Sequence, residues 1–408
     1  MTKLLALVLL AEAASGQMLD VETLTNMKTR LADVDNRLVR FSTLSEETKE
    51  LQDDVCPIAI PHIYESLESG DIAHAGLAAE VLQLCTTNNP RNRATIGRTG
   101  YVHKRLNSLI NNGVATYHDE HKSAKEKRQA THALAKVSEA VWILSYNDDY
   151  NADLFVDAGL VHSLMSVLKF CIVDFKDEES ICSDAVMWSL AALQNLAATY
   201  CNSNSGRCDW EWDGDDLAIS HEHQAKSDKA LARRKVIIAH VKAMNIAELL
   251  THFVCQGPVH KPNGDTHPWP GKSEDPVAHG HMPTIIPWAA AGFIKNLALE
   301  PSIREAWWHH NKMFHCLCEM SWSPDWLEES KASTALYNLG WEYYCPDVHD
   351  GCADYPDWEE KSDGMTCQEY EDKLYCAEHG NLTDAEGIEA NDACCICGGG
   401  ESDEHDEL

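Results

Sequence analysis

An Ala- and Leu-rich element recurs along this chain, and its recurrence leaves few folds open. It reads AGLAAEVLQLCTTN at 75–88, SEAVWILSYND at 138–148, DAVMWSLAALQNLAAT at 184–199, WAAAGFIKNLALE at 288–300 and KASTALYNLGWE at 331–342. A second element follows four of these: RATIGRTGYVHKRLNSLI, ADLFVDAGLVHSLMSVL, KVIIAHVKAMNIAELLTHF and REAWWHHNKMFHCLCEM. Both are apolar at helical spacing and lack alternating β-branched runs, so both are helices. Alanine-rich faces let helices approach closely, as a stack of helical repeats requires.

The spacing tests this. The equivalent positions 83, 143, 195, 296 and 338 are separated by 60, 52, 101 and 42 residues. Helical repeats of roughly 40–47 residues match the last interval as one unit. The other three carry surpluses of 18, 10 and 59 over it, and each surplus has a polar home. Residues 114–130 are charged and His-rich, 171–182 read CIVDFKDEESIC, and 202–230 with 256–283 supply most of the 59. A stack tolerates insertions between its helices.

The repeated pair resembles the armadillo-repeat family: a long third helix carrying Asn-Leu, a turn, a helix broken near a Gly, then a leucine-rich helix. The matching pairs are Asn195-Leu196, Asn296-Leu297 and Asn338-Leu339, with Gln83 and Ile143 at the Asn place of the first two repeats. Gly100 and Gly159 sit at the helix break, where Met244 and Lys312 stand later. The resemblance implies an all-α fold, an armadillo-like right-handed α-solenoid whose third helices line a concave surface. It also implies that Asn195, Asn296 and Asn338, with Gln83 in their place at one end, bind the backbone of an extended peptide. Trp142 and Trp188 would supply stacking walls. Core packing of each Trp and an intra-repeat hydrogen bond from each Asn stand as the alternatives.

Ahead of the repeats, Leu24, Met27, Leu31, Val34, Leu38 and Phe41 form one apolar stripe on a helix, a cap on the next domain. After Trp341 the composition changes. Residues 341–408 hold 21 acidic and 2 basic side chains, much of a net charge of −32. Cys352, Cys367, Cys376, Cys394, Cys395 and Cys397 lie there; so small and acidic a segment depends on disulfides for stability. Six cysteines allow fifteen pairings and nothing in the sequence selects one. The segment resembles the small three-disulfide modules of secreted proteins. Cys171 with Cys182, and Cys201 with Cys208, are expected to staple two insertions, with a buried thiol as the alternative at Cys171.

Sixteen cysteines suit an oxidising compartment. The apolar run Leu4–Ala11 followed by small residues reads as a secretory signal, and His405-Asp406-Glu407-Leu408 as a retention signal for its receptor in the endoplasmic reticulum. The expected organisation is a signal peptide over 1–16, the amphipathic helix over 17–55 and the repeats over 56–342. A cysteine-rich module over 345–400 and an acidic tail over 401–408 complete it. Asn381-Leu382-Thr383 is a glycosylation sequon.

The net charge disfavours nucleic acid and anionic lipid, and no run approaches the ~18 apolar residues of a membrane span. The segment Asp209, Glu211, Asp213, Gly214, Asp215 has part of a Ca²⁺-loop pattern, but Ser220 stands at the twelfth place instead of a bidentate Glu. It is a weak cation candidate, otherwise a solvated acidic loop. The pairs Cys316-Leu317-Cys318 and Cys395-Ile396-Cys397 lack the cationic surroundings that activate a dithiol. With no phosphate loop, nucleophile elbow or His-Glu-x-x-His pair, neither an enzyme nor a cofactor is expected. The function implied is protein or peptide binding. Helix, armadillo body and compartment also resemble in architecture the luminal exchange factors for Hsp70, which makes that chaperone a candidate partner; a luminal thiol-redox or metal-dependent protein is a further alternative.

Overall fold

The structure is a computed structural model that describes residues 18–31, 46–98, 101–146, 148–171, 181–198, 221–255, 259–260, 266–267, 285–308, 310–323 and 326–340. In the C-terminal part it describes 352–353, 358–362, 364–367, 382–385, 388, 390, 394 and 401–402. The chain divides into two compact units, Met1–Met244 and Asn245–Leu408.

In the first unit, α1 (Val21–Leu31) precedes α2 (Glu46–Glu50), which runs through a π turn (Leu51–Val55) into α3 (Cys56–Leu67). There follow α4 (Ile72–Thr86), α5 (Pro90–Gly97), α6 (Val102–His118), α7 (Ala124–Ser145), α8 (Asp149–Asp157), α9 (Leu160–Cys171), α10 (Ile181–Ala197) and α11 (His221–Met244). A short helix and two longer ones occur twice, as α5–α6–α7 and α8–α9–α10, after the hairpin α3–α4. Helices of equal rank meet across successive repeats: α4 packs on α7 and α7 on α10, α3 on α6 and α6 on α9, and α5 on α8. That rank-to-rank contact defines an armadillo-like stack.

Local chemistry sets the helix starts. The Asp71 carboxylate accepts from the Ala73 amide at 2.9 Å, Asn89 accepts from Asn92 with Pro90 just inside α5, and Asp148 accepts from Asn151. Ser123 and Glu126 form a capping box at the start of α7. Such caps contribute about 1 kcal/mol each. Tyr101 (φ 52°) and Gly159 (φ 84°) turn the chain between short and second helices. The left-handed residue in the first break is therefore Tyr101; Gly100 lies outside the described residues. Between α4 and α7 a Cβ on Gly76 would come within 2.8 Å of the Ala133 methyl, so these two third helices touch almost backbone to backbone.

Two sequence expectations meet the helices directly. Leu24, Met27 and Leu31 are fully buried, with α1 packed on α4, while Val34, Leu38 and Phe41 lie outside the described residues. The polar segment 114–130 is mostly helix: it ends α6 and begins α7, with only 119–123 between them. Here the surplus over one repeat lengthens both helices.

The second unit contains α12 (Ala247–Val254), an antiparallel pair β1 (Val259–His260) and β2 (Thr266–His267), α13 (Ile285–Leu297), α14 (Pro301–Trp307), α15 (Asn311–Ser321) and α16 (Trp326–Leu339). The third helices α13 and α16 pack together, and α12 packs on α15, repeating the rank rule. Asn245 (φ 46°), next to Met244, takes the left-handed place that Gly159 fills earlier, as asparagine tolerates better than other L-residues. Lys312 lies inside α15 rather than at a break. Further on, β3 (Cys352–Ala353) pairs with β4 (Glu401–Ser402). Trp358, Cys367, Ala390 and Cys394 form a small core with Met365 and Ile388, and the Trp358 indole N–H donates to the Ile388 carbonyl at 3.0 Å.

Three disulfides lie among the described residues. Cys367 bonds Cys394, which selects one pair from the tail's six cysteines. Cys56–Cys85 and Cys255–Cys316 were not expected from spacing. The first joins the start of α3 to the end of α4, and the second joins the end of α12 to α15. Cys318 is disulfide-bonded as well, so Cys316-Leu317-Cys318 is not a free dithiol. The side chains of Cys171, Cys182, Cys201, Cys208, Cys352, Cys376, Cys395 and Cys397 lie outside the described residues, as do Asn381, the acidic loop Asp209–Asp215 and His405–Leu408. Among the described residues no single helix is long and apolar enough to cross a membrane.

Candidate protein-binding surface

Helix α7 is the long third helix at the middle of the first unit, and its residues Lys125, Arg128, His132, Lys136, Glu139 and Trp142 follow one another at helical spacing along one face. Lys136 bridges Glu80 of α4 at 3.2 Å and Glu139 at 3.4 Å, and Lys28 of α1 reaches the same Glu80 at 2.9 Å. Both carboxylates are nearly inaccessible. Burial pushes the Glu80 carboxyl up, but hydrogen bonds and charge from Lys28 and Lys136 outweigh it and hold the group below its ordinary value. Four charges thus tie α1, α4 and α7 together. Farther toward the start of α7, a cavity of about 300 Å³ is lined by Ala73, Lys125, Arg128, Gln129, His132 and Ala133.

At the other end of α7 the expected site residues come together. The rings of Trp142 and Trp188 lie 4.9 Å apart at a 34° tilt. Asn195, on α10, donates from Nδ2 to the Trp142 carbonyl at 3.0 Å. In the second unit Asn338 donates from Nδ2 to the Lys295 carbonyl at 2.9 Å. Trp142 and Lys295 each stand one residue before the Asn-equivalent place of the preceding third helix, so the two bonds are the same bond in different repeats. It runs between repeats, not within one. In both cases the side chain is half-buried and its carboxamide oxygen makes no hydrogen bond among the described residues.

The remaining candidates sit differently. Gln83 is 2% exposed and donates to the Thr87 hydroxyl of its own repeat at 3.0 Å, which spends it on ordering the end of α4 and corrects its expected place on the groove. Asn296 is also buried, as is Trp188, whereas Trp142 keeps part of its ring accessible.

Three further residues hold the repeats in place and were not anticipated. Asn92 donates to the carbonyls of Gln52 and Cys85, and Asn151 donates to those of Arg93 and Leu144. Each joins the end of its preceding third helix, seven residues back, to the repeat before. The signal was present as Asn89-Pro-Arg-Asn92 and Asp148-Asp-Tyr-Asn151, a cap residue followed three places later by Asn. Arg233, 5% exposed, donates to the Leu196 and Ala198 carbonyls at the end of α10 and pairs with Asp149 and Asp153 of α8.

Asn151 also accepts from Nε2–H of His103, whose ring stands edge-on to Phe155. Burial pushes the His103 imidazole down to about 4, and the bond to Asn151 offsets only part of that. Below pH about 6.5 the unfolded chain therefore takes up a proton that the folded imidazole does not accept until about pH 4. Stability contributed by neutral His103 is complete above that window and is lost through it, to a limit of about 3 kcal/mol. NMR titration should find one imidazole near pH 4, and His103→Gln should flatten the fall in unfolding free energy between pH 6.5 and 4.

The chain matches no protein-family model and no curated protein. Among solved structures it is similar to a designed armadillo-repeat protein, at 13% identity over 78% of this chain and 94% of that one, with a TM-score of 0.44. An engineered protein matches at 17% identity over 69% and 96%, TM-score 0.34. A second engineered protein matches at 16% identity over 78% and 82%, TM-score 0.27. By the order and contacts of its own helices, the chain has an all-α, armadillo-like fold with a small disulfide-containing C-terminal part.

Proposed function

We propose that this protein is a non-enzymatic binder of extended segments of other proteins, engaging them at its third helices. The observation that carries this is the repeated posture of Asn195 and Asn338. Each amide nitrogen is anchored on a backbone carbonyl of the preceding repeat, which fixes the side chain and leaves an acceptor oxygen to receive a peptide N–H. Pre-oriented carboxamides reduce the entropic cost of binding, and the accessible part of Trp142, packed against the buried Trp188, adds aromatic surface beside Asn195. An armadillo-like scaffold fits such a role, though fold alone does not assign a partner.

The disulfides support an oxidising secretory compartment, and the endoplasmic reticulum lumen is the compartment we propose within it. Selection of a random extended-peptide display library on the protein tests the binding reading. Enriched peptides should lose tenfold or more in affinity against Asn195→Ala with Asn338→Ala, at unchanged helicity. No enrichment, or equal affinity for that variant, would overturn it. Faster release of labelled ADP from the luminal Hsp70, with complex formation, would identify the partner as that chaperone.

A further inference from the structure

Between Arg91 and Lys136 the chain carries ten Lys or Arg and three Asp or Glu, a basic island in a protein of net charge −32. Most cations from Lys104 to Lys136 are engaged. Arg105 pairs with Glu65 and Glu68, Lys122 with Glu126, and Lys136 with Glu80 and Glu139, while Lys104 and Lys127 lie over tyrosine rings. Lys125 and Arg128 are exposed and make no ion pair among the described residues. These two stand on the rim of the cavity between α4 and α7, with Gln129 and His132 beside them and Ala73 and Ala133 completing its lining.

We propose that this cavity is a binding site for an extended acidic segment of a partner protein, its carboxylates placed on Lys125 and Arg128. The site is separate from Asn195 and the Trp pair: from Lys125 to Trp142 is seventeen residues of helix, about 25 Å. Lys125 and His132, with Arg128 between them, stand seven helical steps apart on α7, about 10 Å, which an extended chain covers in about three residues. Alternate side chains on one face of that chain then meet successive turns of the helix. The Gln129 carboxamide can serve a peptide group, and the two alanines leave room for a backbone.

Charge complementarity selects the occupant. The nearby carboxylate of Glu80 is already taken by Lys28 and Lys136, so it does not compete for an incoming acid. A polyphosphate or nucleic acid would bring many more charges than two unpaired cations can meet, against the repulsion of the rest of the chain. An acidic peptide brings few, spaced charges.

The test is fluorescence anisotropy of a labelled nine-residue peptide alternating Glu and Ser, with the Gln-for-Glu peptide as control, at two salt concentrations. The Glu peptide is expected to bind, to weaken with salt, and to lose about tenfold in affinity on Lys125→Gln with Arg128→Gln. Both substitutions are on exposed positions and leave the core intact. Asn195→Ala should not change this affinity, so failure here and failure of the third-helix reading are separable. Equal binding of the Gln peptide, no effect of the double substitution, or binding of an oligonucleotide or inorganic phosphate in preference to the Glu peptide would overturn the proposal.

Discussion

Replacing Cys255 and Cys316 together by alanine is expected to lower the unfolding free energy of the second unit by about 4 kcal/mol, the larger of two disulfide effects. The bridge closes a sequence separation of 61 residues and so removes much of the freedom of the unfolded chain. Chain-entropy arithmetic gives about 4 kcal/mol for a closed loop of that size and about 3.5 kcal/mol for the separation of 29 at Cys56–Cys85. Cys316 is almost fully buried, and its sulfur ties α15 to the end of α12, on which α15 also packs. Denaturant unfolding of the double variant, followed by helical circular dichroism, reads the loss. A change below about 1 kcal/mol would mean that the unfolded chain is already held compact by its other bridges. The Cys56→Ala, Cys85→Ala variant, measured alongside, should place its smaller loss in the first unit.

The two bridges show where a sequence stops being informative. Apolar spacing located the third helices, because burial of one face repeats every three or four residues. It therefore placed Asn195 and Asn338 at equivalent positions, and both make the same bond to the preceding repeat. A disulfide has no period. Cys56 and Cys85 meet because α3 and α4 run antiparallel and bring the two ends of one hairpin together, which becomes visible only once both helices are drawn. Gln83 has the same place in the pattern as Asn195 but spends its amide on Thr87, one turn along its own chain. Its longer side chain reaches a local acceptor that no spacing argument could weigh against the carbonyl of another repeat. The segment 114–130 has the composition of an insertion because a helix end standing clear of the core carries no apolar stripe. It is helical all the same, held at the start of α7 by Ser123 and Glu126. That pair is a local signal, and it outweighs the absence of a periodic one.

Substituting Gly97→Ala should cost about 4 kcal/mol, the other large effect, through a residue the substitution does not touch chemically. A Cβ at Gly97 would lie 1.5 Å from the Asn151 carboxamide oxygen and 2.5 Å from its Cγ, so Asn151 must leave its place. Asn151 is fully buried, and its departure breaks the bonds to the Arg93 and Leu144 carbonyls and to His103. Each buried partner left unpaired costs about 1–3 kcal/mol, and alanine's better helix propensity returns only about 1 kcal/mol. Asn151→Ala should by itself cost about 3 kcal/mol for the same lost bonds. The double variant separates this account from a general loss of packing. Asn151→Ala removes the three atoms nearest to a Cβ at 97, so the double should be no less stable than Asn151→Ala alone, a coupling of about 4 kcal/mol in the cycle. Additive losses would instead place the strain of Gly97→Ala in the backbone of α5. The cycle also bears on His103: in either single variant its imidazole loses its acceptor, so the proton that drives unfolding between pH 6.5 and 4 should bind at a still lower pH if burial is kept, or near pH 6.5 if water enters.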